Sequence, residues 1–200
     1  MAGSLRRSYT LLAPVYDWVA DRAFRSARAR SLAQLPTQGC RVLIDGIGTG
    51  LDLPLLPQGN HYVGLDLTPA MLHRARDRGA RLSIDWVEGD SQSLPFADQS
   101  FDHALLHLIV AVVPDSLRCL REAARVIRPG GTLLVLDKFL RPGESAPLRR
   151  AANGLARRIA TRTNVVFEDV LAEAPDLILV RNEPVLLKGW FRCITLRKRP

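Results

Sequence analysis

Twelve residues, Arg41 to Asp52 (RVLIDGIGTGLD), constrain this chain more than any others. The apolar run Val42-Leu43-Ile44 ends in an acid, Asp45, and three glycines follow at alternate positions, Gly46, Gly48 and Gly50. A buried parallel strand that turns sharply beneath a nucleotide-like ligand has this form. The turn needs backbone angles that side chains resist, and a Cβ would hold the chain away from the ligand. A dinucleotide fingerprint would place its third glycine five residues after the first. Leu51 stands there instead, followed by Asp52, so the spacing leans away from a dinucleotide and towards a smaller ligand.

The rest of the chain supplies the frame such a turn needs. Tyr62–Leu67 reads as a second strand closing on Asp66, and Thr68-Pro69 as an N-cap with proline at the first helical position. That helix is expected over Ala70–Arg78, stopped by Gly79. Leu82–Glu88 reads as a third strand running into Gly89-Asp90, and Phe101 to about Ile109 as a fourth, nearly all apolar and so buried on both faces. Asp115–Ile127 has helical periodicity, Arg128-Pro129-Gly130-Gly131 stops it, and Thr132–Asp137 is a fifth strand. Pro147–Thr163 reads as a further helix, and Leu177–Val180 and Phe191–Leu196 as two strands joined by a loop holding Pro184 and Gly189. Strands alternating with helices imply a doubly wound parallel sheet, and the final pair implies an antiparallel end. The fold class expected is α/β: a Rossmann-like, mostly parallel sheet of seven strands with the last antiparallel and helices on both faces. Residues 1–35, with apolar positions among arginines, read as an N-terminal helical lid on a single domain whose body is 36–200.

In a sheet of this kind the ligand lies at the carboxyl ends of the strands. Three acids occupy such ends: Asp45, Asp66 and Asp90. Asp66, twenty residues beyond Gly46, can accept both hydroxyls of a ribose. Asp90 can receive the exocyclic amine of an adenine, with the backbone of Ser91 beside it, and Asp45 can orient the ammonium of an amino acid. An amino acid, a ribose and an adenine together describe S-adenosylmethionine (SAM).

These pieces resemble the class I SAM-dependent methyltransferases, of the methyltransferase type 11 kind. The likeness is carried by DGIGTG, GLDLTPAML, EGDSQSLPFADQSFDHAL and REAARVIRPGGTLLVLD, and is close over residues 9–140. It implies that Leu67 and Met71 pack against the adenine or ribose, that His107 approaches the methionine end of the cofactor, and that Tyr9 and Tyr16 help close over the site. His103 is expected to face the other way from His107 and to be structural. The resemblance narrows at LIVAVVPD, YTLLAPVYDW and GWFRCITLRKR, which look like bacterial phosphatidylethanolamine N-methyltransferases. Quinone-biosynthesis C-methyltransferases share the same core. Methyl transfer from a sulfonium is an in-line displacement by an already activated reagent, so no residue is singled out as a catalytic base.

Charge bears on the acceptor. The net charge of +8 sits outside the core: residues 1–32 carry +4, 141–163 carry +5 and 188–200 carry +5, whereas 33–140 carry −2 and 164–187 carry −4. Such flanks favour an anionic partner, meaning a membrane surface, nucleic acid or acidic substrate, although 25 of the 28 basic residues are arginine, which GC-rich coding also tends to produce. The partner expected is a small molecule or a lipid, with peripheral contact to an anionic membrane. Nucleic acid is disfavoured, because aromatics are few (6%) and not interleaved with the basic runs as stacking platforms require. An Asn-Pro-Pro-Tyr type of sequence is also missing after the fourth strand. A SAM-binding or nucleic-acid-binding protein without transferase activity is the alternative of a different class. Cys40, Cys119 and Cys193 show no metal or redox spacing, and no secretory signal opens the chain, so a reducing cytoplasm is expected.

Overall fold

The computed structural model describes residues 24–140, 165–186 and 189–200. Seven strands form one sheet: β1 (Gln38–Asp45), β2 (Gly59–Asp66), β3 (Ser83–Glu88), β4 (Phe101–His107), β5 (Ile127–Lys138), β6 (Leu177–Leu186) and β7 (Phe191–Lys198). Their spatial order is β3-β2-β1-β4-β5-β7-β6. The first five run parallel, and β7 is antiparallel to both β5 and β6. This is the expected sheet, and its order reverses between β1 and β4, where such folds place ligands.

Helices cover both faces. Over residues 24–32 the chain forms helix α1, whose Leu32, with Leu35 just beyond it, packs with Val42, Ile44, Leu105 and Leu134. Helix α2 (Pro69–Arg76) adds Leu72 and Ala75 to that same layer. On the other face α3 (Ser116–Val126) and α4 (Phe167–Ala172) cover Leu43, Ala104, Leu106, Leu133 and Val135. The Asp115 carboxylate caps α3 by accepting the Arg118 N–H at 2.9 Å.

Several boundaries differ from the expectation, for physical reasons. The short helical stretch expected after the glycine turn, ending by Pro57, is a 3₁₀ turn over Leu53–Leu55, with Pro54 in its first turn, where the missing N–H costs nothing. Thr68 occupies the N-cap of α2, but its side chain makes no capping bond. Arg128–Gly131 does end α3, yet the strand has already begun: Ile127 pairs with Phe101, and Thr132 pairs with His103. The residues between bulge out of the ladder. Gly131 is needed there, since a Cβ would lie 2.4 Å from the Asp102 carbonyl oxygen. β6 runs through Pro184 to Leu186, which an edge strand tolerates. Helix α4 was not expected, its six residues being too few to show a period. His103 and His107 stand on the same side of β4, four residues apart, which corrects the expectation that they oppose. His103 is structural, its Nδ1 lying 2.6 Å from Thr132 Oγ1. The expected helix over Pro147–Thr163 lies outside the described residues, as do Tyr9 and Tyr16.

Candidate cofactor and acceptor site

The glycine turn leaves β1 at its carboxyl end, and all three of its glycines have positive φ (69°, 55° and 80°). A Cβ on Gly46 would lie 2.7 Å from the Ile109 side chain, so the loop after β4 is packed directly against the turn. At Gly48 a Cβ would meet nothing nearer than 4.0 Å, so that position faces open space. The turn is tied to the second strand end: Asp66 Oδ2 accepts the Gly48 N–H and Oδ1 accepts the Thr68 N–H, both at 2.9 Å. Burial raises the Asp66 carboxyl, and these two donors pull it back. Asp66 is thereby fixed with lone pairs left for a diol. Leu67 beside it is 53% exposed on the rim, whereas Met71 is buried within α2.

Asp45 is 1% exposed. Its Oδ1 accepts the Ser91 hydroxyl at 2.5 Å, and Cys119 Sγ lies 3.9 Å from Oδ2. Burial pushes its carboxyl up to about 7, with Asp66 and Asp90 adding to the rise against the Ser91 bond. Ser91 therefore acts here through its hydroxyl, which sequence alone did not suggest. Asp90 stands at the exit of β3, where its Oδ1 accepts the Gln92 N–H at 2.8 Å and shapes the following turn.

His107 ends β4 with its side chain 1% exposed. Its Nδ1 lies 3.0 Å from Asp52 Oδ1 and its Nε2 lies 3.0 Å from the Ser31 hydroxyl of α1. Arg28, also on α1, donates from Nη1 to the same Asp52 oxygen at 2.9 Å. Burial raises Asp52, but the neighbouring His107 and Arg28 outweigh it and hold the carboxyl well below its usual range. Asp52, Arg28 and Ser31 were not found from the sequence. At the next strand end Asp137 is fully buried and accepts the N–H groups of Ala111 (2.9 Å) and Lys138 (2.8 Å). It thus pins the loop after β4, in which Leu108 adopts a left-handed conformation (φ 60°).

The residues at β1, β2 and β3 fit a SAM-sized ligand. They offer an open glycine cradle, a fixed carboxylate for a diol, and a buried carboxylate, Asp45, that has no cation beside it among the described residues. A family profile described as "Methyltransferase domain" matches residues 44–135. The chain is 32% identical over 203 residues to a phosphatidylethanolamine N-methyltransferase of Cereibacter sphaeroides, covering 98% of each. It belongs to the SAM-dependent methyltransferases. A ubiquinone/menaquinone biosynthesis C-methyltransferase of Roseobacter denitrificans is 34% identical over 150 residues, 68% of this chain and 59% of that protein. The solved SAM-dependent methyltransferase of Mesorhizobium loti superposes with a TM-score of 0.67 at 22% identity, over 88% of this chain and 98% of that one. It shares the fold. Among the described residues no helix is long and apolar enough to cross a membrane, and no cluster of His, Cys, Asp and Glu could hold a metal.

Proposed function

We propose that this methyltransferase transfers the methyl group of SAM to the amine of phosphatidylethanolamine at a membrane surface. The observation that carries the reading is the end-to-end match, 98% of both chains, to a phosphatidylethanolamine N-methyltransferase. The quinone-type relative covers the shared core and a smaller part of its own length. The basic flanks support the same reading, since each arginine near an anionic surface adds about 1 kcal/mol.

In this reading Gly46, Gly48 and Gly50 cradle the amino-acid end of the cofactor, and Asp45, held by Ser91, faces its ammonium. Asp66 takes the ribose hydroxyls, Asp90 the adenine amine, and Leu67 and Met71 bracket the ring. His107 lies behind the methionine end, with both ring nitrogens committed to Asp52 and Ser31. Bound SAM supplies a methyl group activated by its sulfonium. What the chain must do is hold the amine in line with that methyl, exclude water and let the amine's proton leave.

Labelled methyl transfer onto phosphatidylethanolamine vesicles tests this. Label in mono- and further methylated lipid is expected. Transfer to a demethylated quinol but not to lipid would replace the acceptor, and equal S-adenosylhomocysteine binding by Asp66→Ala and wild type would remove the site assignment.

A further inference from the structure

Among the described residues, one cation near the acceptor end of the sheet makes no hydrogen bond or ion pair through its side chain. Lys138 is the last residue of β5 and is half-buried. Along this strand Leu133 and Val135 face one core layer, while Leu134 and Leu136 face the α1 side. Lys138 continues the second series. It stands two residues beyond Leu136, the partner of His107, and so lies at the rim just past the exit of β4. Lys138 also pairs with Phe191, whose ring meets Phe24 of α1 edge-on at 4.7 Å. The start of α1, the end of β5 and the exit of β4 therefore share one rim, with β1 and β4 standing between β5 and the strand of Asp66.

Among the described residues the carboxylates around that rim are committed elsewhere. Asp137 accepts two backbone N–H groups, Asp52 serves Arg28 and His107, and Glu168 pairs with Arg192. Among the described residues Lys138 Nζ makes no hydrogen bond and no ion pair. One turn along α1 from Phe24, Arg28 leaves its buried Nε without an acceptor. A half-buried ammonium without an anion is costly, and burial lowers the Lys138 pKa despite the neighbouring Asp137. Both costs are relieved if an anion enters with the substrate.

We propose that Lys138, at the exit of β5, holds the phosphodiester of the acceptor and so selects phospholipid headgroups over uncharged rings. The inference rests on the reading of the acceptor as a phospholipid amine. A phosphodiester suits a point-charge lysine, and it lies two carbons from the amine, so anchoring it restricts where the amine can reach. The cofactor's carboxylate is the competing anion. It belongs to the β1 side, beside Asp45 and Gly46.

The test compares wild type, Lys138→Met and Lys138→Arg. S-adenosylhomocysteine affinity, read by calorimetry, should be unchanged in both variants and also reports that they fold. The KM for phosphatidylethanolamine in mixed micelles should rise tenfold or more in Lys138→Met, and return to within threefold of wild type in Lys138→Arg. An unchanged KM overturns the proposal, as does a loss confined to S-adenosylhomocysteine affinity, which would assign Lys138 to the cofactor. If wild type labels no lipid, the lipid reading fails by itself. The phosphodiester subsite is then read from glycerophosphoethanolamine binding in the presence of S-adenosylhomocysteine. Binding by wild type that Lys138→Met loses keeps the subsite, absent wild-type binding overturns it, and inorganic phosphate alone separates a general anion site from one for the diester.

Discussion

Asp45 and Asp52 bracket the same glycine turn, and both are buried, yet they titrate in opposite directions. Burial drives both carboxyls up. Asp52 has the guanidinium of Arg28 and the imidazole of His107 against it, and stays ionised. Asp45 has a hydroxyl, a thiol and two other acids for company, and rises to about 7. The fold thus completes one carboxylate from within and, among the described residues, sets no cation beside the other. The first belongs to the architecture, joining α1, the turn and β4 at one oxygen. The second, in the proposed reading, faces a ligand that brings its own positive charge.

The comparison breaks most visibly at Asp52. Asp52→Ala strands a buried guanidinium and a buried imidazole, and breaking such a pair costs about 3–5 kcal/mol. Urea denaturation should show that loss. The triple change Arg28→Met, Asp52→Leu, His107→Leu should recover most of it, because well-packed apolar side chains often replace buried ion pairs without penalty. The exposed counterpart is His61, which touches Ser83 Oγ and Asp85 Oδ2 at 3.0 Å each on the open side of β2 and β3. The residue types match those around His107, but His61→Ala should change stability by under about 0.5 kcal/mol, since water screens the pair. A large loss there, or a small one at Asp52, would mean that burial is not what separates the two clusters.

How much of this was legible in the sequence follows from distance along the chain. The turn, its glycines and the acids at three strand ends are local, each set by a few residues after an apolar run, so pattern reading finds them. The sheet order follows from the alternation of strands and helices. Asp52 meets Arg28 across 24 residues and His107 across 55, and Ser31 meets His107 across 76. No local pattern marks such partners. The bulge at Arg128–Gly131 was read as a stop because the pairing that continues the strand depends on Phe101, far upstream. The sidedness of His103 was legible from the two-residue period alone and was misread.

The opposite change belongs to Asp45. Asp45→Asn keeps the shape and an acceptor for Ser91 but removes the charge. A charged hydrogen bond contributes roughly 1.5–3 kcal/mol, so S-adenosylhomocysteine affinity should fall by about 10- to 100-fold. The ligand-free variant should nevertheless be more stable than wild type at pH 8, where the wild-type carboxylate is buried and ionised. A variant that is both weaker in binding and less stable would make Asp45 a structural acid like Asp52.

The pH dependence sharpens the contrast with a smaller effect. The folded Asp45 carboxyl titrates near 7, above the ordinary value of 3.8, so the folded protein binds the extra proton. Stability of the ligand-free protein therefore falls as pH rises from about 4 to about 7, and then levels. Asp137, raised to about 6 by burial, adds a fall ending lower on the scale. Asp52 has the reverse sign: its contribution is present above about pH 4 and is lost only below it. In the proposed reading binding inherits the titration of Asp45, because Asp45 is the acid that meets the ligand's ammonium. S-adenosylhomocysteine should bind about tenfold more tightly at pH 8 than at pH 6, the gain expected when one group of pKa near 7 must lose its proton. Calorimetry across that range should give a flat profile for Asp45→Asn and an unaltered slope for the Arg28→Met, Asp52→Leu, His107→Leu variant. A slope that survives in Asp45→Asn would move the titrating group away from the turn, and with it the claim that the unpaired carboxylate waits for the cofactor.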